Sequence, residues 1–317
     1  MLDREYRKIL VKDFKLPIDL FDDDYWHYYT QESTQNLAYG DIQAKEHLLQ
    51  EVIKGEHFTN AEEFYAYSAK LRETIIKHIS SKSEYAEWNN QILPSQKFVE
   101  KKQLYQQANN GKLFVSVDLI KANFNTLKHC NPALVDNKET YAEFIQQFTP
   151  YVYFVESKQL RQVIFGNLNP SRQQYFQKAI MLQLYADLQD KMREYVKDLS
   201  ASSSDELVLE LKPNINVENC ISAFEQWKSS HPLSHMIKTT YFKLIAKQFA
   251  DNSTKRKEFY IKEDIQTKVL ELKSVPGCFY PVIYKLIHKH KIYPIDRMFY
   301  YMDCICSFEN TIMLIEP

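Results

Sequence analysis

The spacing of apolar positions changes character along the chain. Up to residue 112 it is helical. In TNAEEFYAYSAKLRETIIKHISS, Phe64, Leu71, Ile75 and Ile79 recur at helical intervals behind a capping box from Thr59 to Glu62. The earlier stretch DLFDDDYWHYY mixes acids with aromatics and reads as an acidic, solvated helix start. QANNGK, Gln107 to Lys112, is a turn signal that closes this region.

LFVSVDLIKANFNTL then switches period within a few residues. Residues 113–118 predict a buried strand ending on Asp118, and residues 119–130 predict a helix that stops near Asn131-Pro132. From Tyr141 to Leu199 the pattern is mostly helical, with a short strand predicted at YVYFVE, residues 151–156. GNLNP, Gly166 to Pro170, breaks it, and a new helix starts near Ser171. Leu207–Leu211 is rich in strand formers and ends at the turn residues Pro213 and Asn214. VENCISAFEQWKSS is an amphipathic helix with Ile221, Phe224 and Trp227 on one side, and IKTTYFKLIAKQ suits a strand.

KEFYIKE and KVLELKS predict a hairpin, and GCFYPVIYKLIHKHKIYP begins as a helix. Its basic part, Lys285 to Pro294, reads either as a grip on a phosphate backbone or as a solvated helix face. His288 and His290 would point apart on a helix, which argues against a metal site. FYYMDCICSF, Phe299 to Phe308, predicts a core strand.

The order strand, helix, helical insert, hairpin, helix, strand is a split βαββαβ arrangement. The predicted class is therefore α+β, with an antiparallel sheet. Residues 1–112 form a helical N-terminal region. Residues 113–250 form the sheet domain, with a helical insert at 131–199. Residues 251–317 hold a hairpin and a thumb-like segment.

Composition narrows the chemistry. Among 317 residues there are five glycines, where average usage gives about 22. No GxGxxG and no GxxxxGK[ST] is present, so dinucleotide-binding and P-loop readings fall. Lys plus Arg is 40 against 41 Asp plus Glu, which excludes a uniformly basic nucleic-acid coat but not a local basic face. The five cysteines are scattered, and Cys304 and Cys306 form a lone CxC without a second pair. This argues for free thiols in a reducing compartment, cytoplasmic or nuclear, and against a zinc site. No run approaches a membrane span, and the Met1 end has no apolar core of a signal peptide. The abundance of Lys, Asn, Ile, Tyr and Phe matches an AT-rich genome such as that of a virus, phage or parasite.

Three acids concentrate the interest: Asp118, Asp205 and Glu206. Taken singly, Asp118 reads as a helix N-cap, and Asp205-Glu206 as a turn before a strand edge. In a split βαββαβ sheet the end of the first strand and the hairpin tip lie side by side. The three carboxylates then meet, and hard oxygen donors of this kind suit Mg²⁺ or Mn²⁺.

At these residues the chain resembles a family. VSVDLIKANF looks like the first palm motif of reverse transcriptases and related polymerases: an apolar strand, Asp, three residues, Ala, a gate position, Phe. SSSDELVLEL resembles the family A DNA polymerase motif in which His-Asp-Glu precedes an apolar strand, with Ser204 where the His stands. The likeness covers roughly residues 113–125 and 200–247. It implies a palm-like sheet and a metal-dependent nucleotidyltransferase that extends a nucleic-acid 3′ end from nucleoside triphosphates. Asp118 and Asp205 would hold the two metals, with Glu206 assisting. Asn123 would stand at the steric gate against the 2′-hydroxyl, beside Phe124. The family's finger signature is absent. In its place, SKQLRQVIFGNLNPSRQQYFQKA offers Lys158, Arg161, Arg172 and Lys178 to a triphosphate. Two other readings stand beside this one: a two-metal nuclease using the same acids, and a non-enzymatic interaction protein with aromatic-rich surfaces.

Overall fold

The computed structural model describes residues 4–14, 26, 27, 30, 42–98, 100–250, 256–301, 304–308 and 312–315. Most of DLFDDDYWHYY lies outside them. The protein is mixed α/β with an antiparallel sheet. It divides into two compact units, one of Ala66–Leu244 with Asp264–Gln266, the other of Met1–Tyr65, Ile245–Glu263 and Thr267–Pro317. Among the described residues no helix is long and apolar enough to cross a membrane.

The first unit is built on β1 (Leu113–Leu119), β2 (Val196–Ser202), β3 (Glu206–Leu211) and β4 (Ile237–Ala250), in the order β2-β3-β1-β4. The latter part of β4 belongs to the second unit. Every pairing is antiparallel. The strands are linked as β1, helices, β2-β3 hairpin, helix, β4, which is the predicted order.

The helices of this unit are α3 (Ala61–Ser80, shared with the second unit), α4 (Ser83–Asn90), α5 (Ala122–Cys130), α6 (Tyr141–Gln146), α7 (Val152–Val155), α8 (Lys158–Gly166), α9 (Pro170–Lys191) and α10 (Val217–Ser230). The second unit adds α1 (Arg4–Phe14) and α2 (Ile42–Val52).

Alternation along each strand sorts the side chains onto two faces. One face carries Val115, Val117 and Leu119 of β1, Leu207, Leu209 and Leu211 of β3, and Ile237 and Tyr241 of β4. It packs on Ile180, Met181, Leu184 and Leu188 of α9 and on Cys220, Phe224 and Trp227 of α10. Burying each large aliphatic side chain contributes about 1.5–3 kcal/mol, so this face holds the unit together. Trp227 donates its indole N–H to Asp187 at 2.6 Å, tying α10 to α9. The opposite face receives Phe114, Ser116 and Asp118 from β1, Glu206, Val208 and Glu210 from β3, and Lys238, Thr240 and Phe242 from β4.

The second unit has its own apolar cluster, in which Phe249, Phe259, Ile261, Leu272, Val282 and Ile283 are buried. It contains β5 (Lys257–Asp264, whose last residue falls in the first unit), β6 (Leu270–Lys273), α11 (Tyr280–Ile287), β7 (Met298–Tyr301), β8 (Cys304–Ser307) and β9 (Met313–Ile315).

Several local expectations are corrected. YVYFVE is not a strand: Val152–Val155 is a turn of helix, because Tyr153, Phe154 and Val155 bury together and tertiary packing overrides strand propensity. Phe299–Phe308 is not one strand but the hairpin β7-β8. The cap of α3 is shifted by one residue: Asn60 accepts from the Glu63 N–H, and the Glu63 carboxylate accepts from the Thr59 N–H. α11 ends at Ile287, so His288 and His290 do not diverge on a helix, and their rings come to 5.6 Å. Lys285 is buried against Asp296 at 2.9 Å, which removes it from any grip on a phosphate backbone.

Candidate active site

Asp118 is the penultimate residue of β1, and it is not a helix cap. The helix that follows starts at Ala122, with Lys121 at its N-cap and no side-chain cap bond. The cap reading therefore falls, and the carboxylate belongs to the strand.

The ladder places Asp118 opposite Glu206 on β3 and opposite Lys238 on β4. Paired residues share a face, so both neighbours lie on the face turned away from α9 and α10. The backbone N–H of Leu119 donates to the Asp205 carbonyl at 2.9 Å, which holds the hairpin tip against the end of β1. The three acids predicted to converge are thus side by side. β3 lies between β2 and β1, so Glu206 starts an interior strand rather than an edge.

Along this face β1 runs from a fully buried Phe114, stacked on Phe242 at 5.5 Å, through a buried Ser116 to a half-buried Asp118. Glu206 accepts a hydrogen bond from the Ser116 hydroxyl at 2.6 Å. Asp205 accepts from the Ser203 hydroxyl at 2.9 Å, and Ser203 also accepts from the Glu206 N–H at 3.0 Å. Ser203 therefore folds the turn and orients its acid. The serines before the acidic pair hinted at such a turn, but the Ser116–Glu206 bond has no signal in the sequence.

Burial and the charges of Glu206 and Asp205 push the Asp118 carboxyl up to about 6, and Lys238 offsets only part of this. An acid so placed is half-protonated near pH 6 and would be relieved by a nearby cation. Among the described residues, however, no group of three or more His, Cys, Asp or Glu side chains is so arranged that it could hold a metal ion.

The other predicted residues scatter. Asn123, in the first turn of α5, accepts from the Gln177 amide on α9 at 2.8 Å. Phe124 is fully buried against Tyr141, Phe144 and Phe165, so its ring belongs to the core and not to a ligand surface. Arg172 is also buried: it donates to the Gln91 carbonyl at 2.7 Å and lies over the rings of Trp88 and Phe176. Its guanidinium holds α9 to the end of α4, which removes it from a triphosphate clamp. Lys178 pairs with Glu100 at 3.2 Å and covers the Phe98 ring. Lys158 is exposed at the start of α8. Arg161, one turn further on, lies half-buried with its guanidinium carbon 5.5 Å from the centre of the Tyr141 ring.

Comparison with known proteins adds no relative: no protein-family model, no curated protein and no solved structure matches this chain.

Proposed function

We propose that this chain is a metal-dependent nucleotidyltransferase, and that the β1-β3-β4 face is a palm-like catalytic surface adding nucleotides to a nucleic-acid 3′ end. The observation that carries the reading is the meeting of Asp118, Asp205 and Glu206 at one end of the sheet. They come from the end of the first strand and from the hairpin tip, the two positions at which the motif resemblance lies.

Carboxylate oxygens are the donor type that a hard divalent cation takes. Mg²⁺ is commonly held by one or two carboxylates, with water and substrate phosphate oxygens completing its shell, so a closed cage of protein ligands is not required. Asp118 and Asp205 would hold Mg²⁺ or Mn²⁺, and ions so held supply activation of an attacking hydroxyl and charge neutralisation at a leaving pyrophosphate. The chain's own contribution is positioning. Ser116 fixes Glu206, and Ser203 fixes Asp205. Lys238 faces Asp118 across the β1-β4 ladder, where it can balance charge that builds up on a phosphate.

Primer extension tests the reading. A labelled oligonucleotide is incubated with Mg²⁺ or Mn²⁺ and all ribo- and deoxyribonucleoside triphosphates, with Asp118→Ala and Asp205→Ala in parallel. Extension by the wild type, reduced at least about a hundred-fold in both variants, is the expected result. Shortening of the primer, lost in the same variants, would assign the acids to a two-metal nuclease. Absence of both activities would leave the sheet face without catalysis and favour a binding protein.

A further inference from the structure

Lys121 and Arg161 approach one aromatic ring from different parts of the fold. The Lys121 ammonium and the Arg161 guanidinium carbon each lie 5.5 Å from the centre of the Tyr141 ring. The two cations are therefore no more than about 11 Å apart, twice that distance. Lys121 is the N-cap of α5 and stands three residues after Asp118; Arg161 is on α8; Tyr141 opens α6.

Both cations are half-buried. Among the described residues neither has an ion pair, and the electrostatic partners of Arg161 are the Tyr141 phenol and Glu156, an exposed carboxylate outside ion-pair reach. Burial lowers the Arg161 pKa from its ordinary value. Withdrawing two cations from water beside one ring carries a desolvation cost, and the electron-rich ring offsets only part of it. Two more features point the same way. The Tyr141 hydroxyl is buried without a hydrogen-bond partner. The N-terminus of α5 has no side-chain cap, so its first-turn N–H groups add positive potential beside Lys121.

We infer that Lys121 and Arg161, seated over Tyr141, bind the polyphosphate chain of a nucleoside triphosphate. A single carboxylate brings one negative charge to two cations. A polyphosphate presents charged oxygens along its length, matching a point charge at one end and a planar fork at the other. The nucleoside part of this assignment rests on the nucleotidyltransferase reading; anion binding at the two cations does not.

The test is equilibrium binding of inorganic tripolyphosphate, of a nucleoside triphosphate and of a single-stranded oligonucleotide, in metal-free buffer at fixed ionic strength. The proteins are the wild type, Lys121→Gln, Arg161→Gln, Arg161→Lys and Asp118→Asn, each checked for an unchanged far-ultraviolet spectrum. Tripolyphosphate and the triphosphate should bind the wild type and weaken about ten- to a hundred-fold in each Gln variant. Arg161→Lys should bind at an intermediate level, and Asp118→Asn at least as tightly as the wild type. Equal binding by wild type and Gln variants would overturn the site. Tighter binding of the oligonucleotide, lost in the same variants, would overturn the triphosphate assignment. Retained tripolyphosphate binding in a protein that extends no primer would sink the reaction while leaving the site standing.

Discussion

Asp118 and Glu206 stand directly opposite each other in the β1-β3 ladder, two carboxylates where a stable sheet would place opposite charges or apolar groups. Such a pair opposes folding whenever both are ionised. At Asp118 burial, then the charges of Glu206 and Asp205, raise the carboxyl; Glu206 accepts from the Ser116 hydroxyl.

The raised carboxyl makes stability depend on pH with a definite sign. The Asp118 carboxyl sits at about 6 in the folded protein, above the ordinary aspartate value. Between pH 4 and 6, to the nearest unit, the folded state therefore binds the extra proton. Its contribution to stability is present in acid and is lost as pH rises through about 6. Asp118→Asn removes the dependence. Thermal melts at pH 4 and pH 8 should show the variant more stable than wild type at pH 8, by about 1–3 kcal/mol, and much closer to it at pH 4. A variant equally destabilised at both pH values would show that Asp118 is not under charge strain.

Glu210 has the opposite sign. Burial works to raise its carboxyl, but hydrogen bonds from Lys197 at 2.8 Å and Lys112 at 3.2 Å outweigh it and hold it below the usual glutamate value. The stability it contributes is present above the ordinary glutamate range and is lost as pH falls through it. Glu210→Gln should cost about 1–3 kcal/mol at pH 7, less at pH 4, and leave primer extension per folded molecule unchanged. Urea titrations at the two pH values measure it.

At the gate position, the Asn123 amide oxygen is engaged by Gln177. Asn is smaller than an aromatic or Glu gate, so the wild type should incorporate both ribo- and deoxyribonucleotides. Asn123→Phe should favour the deoxy form by about tenfold or more, since a clash with one hydroxyl is a penalty of a kcal/mol or larger. Strong rejection of ribonucleotides by the wild type would end the gate assignment.

Arg172 should behave as a structural residue. Arg172→Ala uncovers the rings of Trp88 and Phe176 and leaves the Gln91 carbonyl without its donor, at a cost of about 2–4 kcal/mol. Its KM for triphosphate, measured well below the lowered Tm, should match wild type. A raised KM at unchanged stability would return Arg172 to the substrate.

The sequence made the sheet unit readable for a physical reason. Ile221, Phe224 and Trp227 recur at a helical spacing that leaves one solution, and α10 spans the stretch they predict, Val217–Ser230. Leu113–Asp118 is a short, largely apolar run that suits a buried strand, and β1 forms within one residue of its expected end. What was hidden depends on the third dimension. Nothing near Ser116 in the chain announces Glu206, and nothing near Lys121 announces Arg161, because each pair is joined only by folding. Asn123 and Phe124 were singled out by the motif resemblance and Arg172 by residue type, and residue type cannot tell an arginine reaching into solvent from one filling the gap between two rings. The unit boundaries at Tyr65 and Leu244 fall inside α3 and β4, where the residue pattern has no break.

The alternation of β1 has one last implication. Val117 and Asp118 are neighbours, one sealed in the core and the other at the acid cluster. Sliding the strand by a single residue would exchange their faces, burying the carboxylate and exposing the valine. The core thus acts as the site's jig. The same packing that stabilises the sheet fixes the register of the three acids, and residues outside the strands can change without moving them.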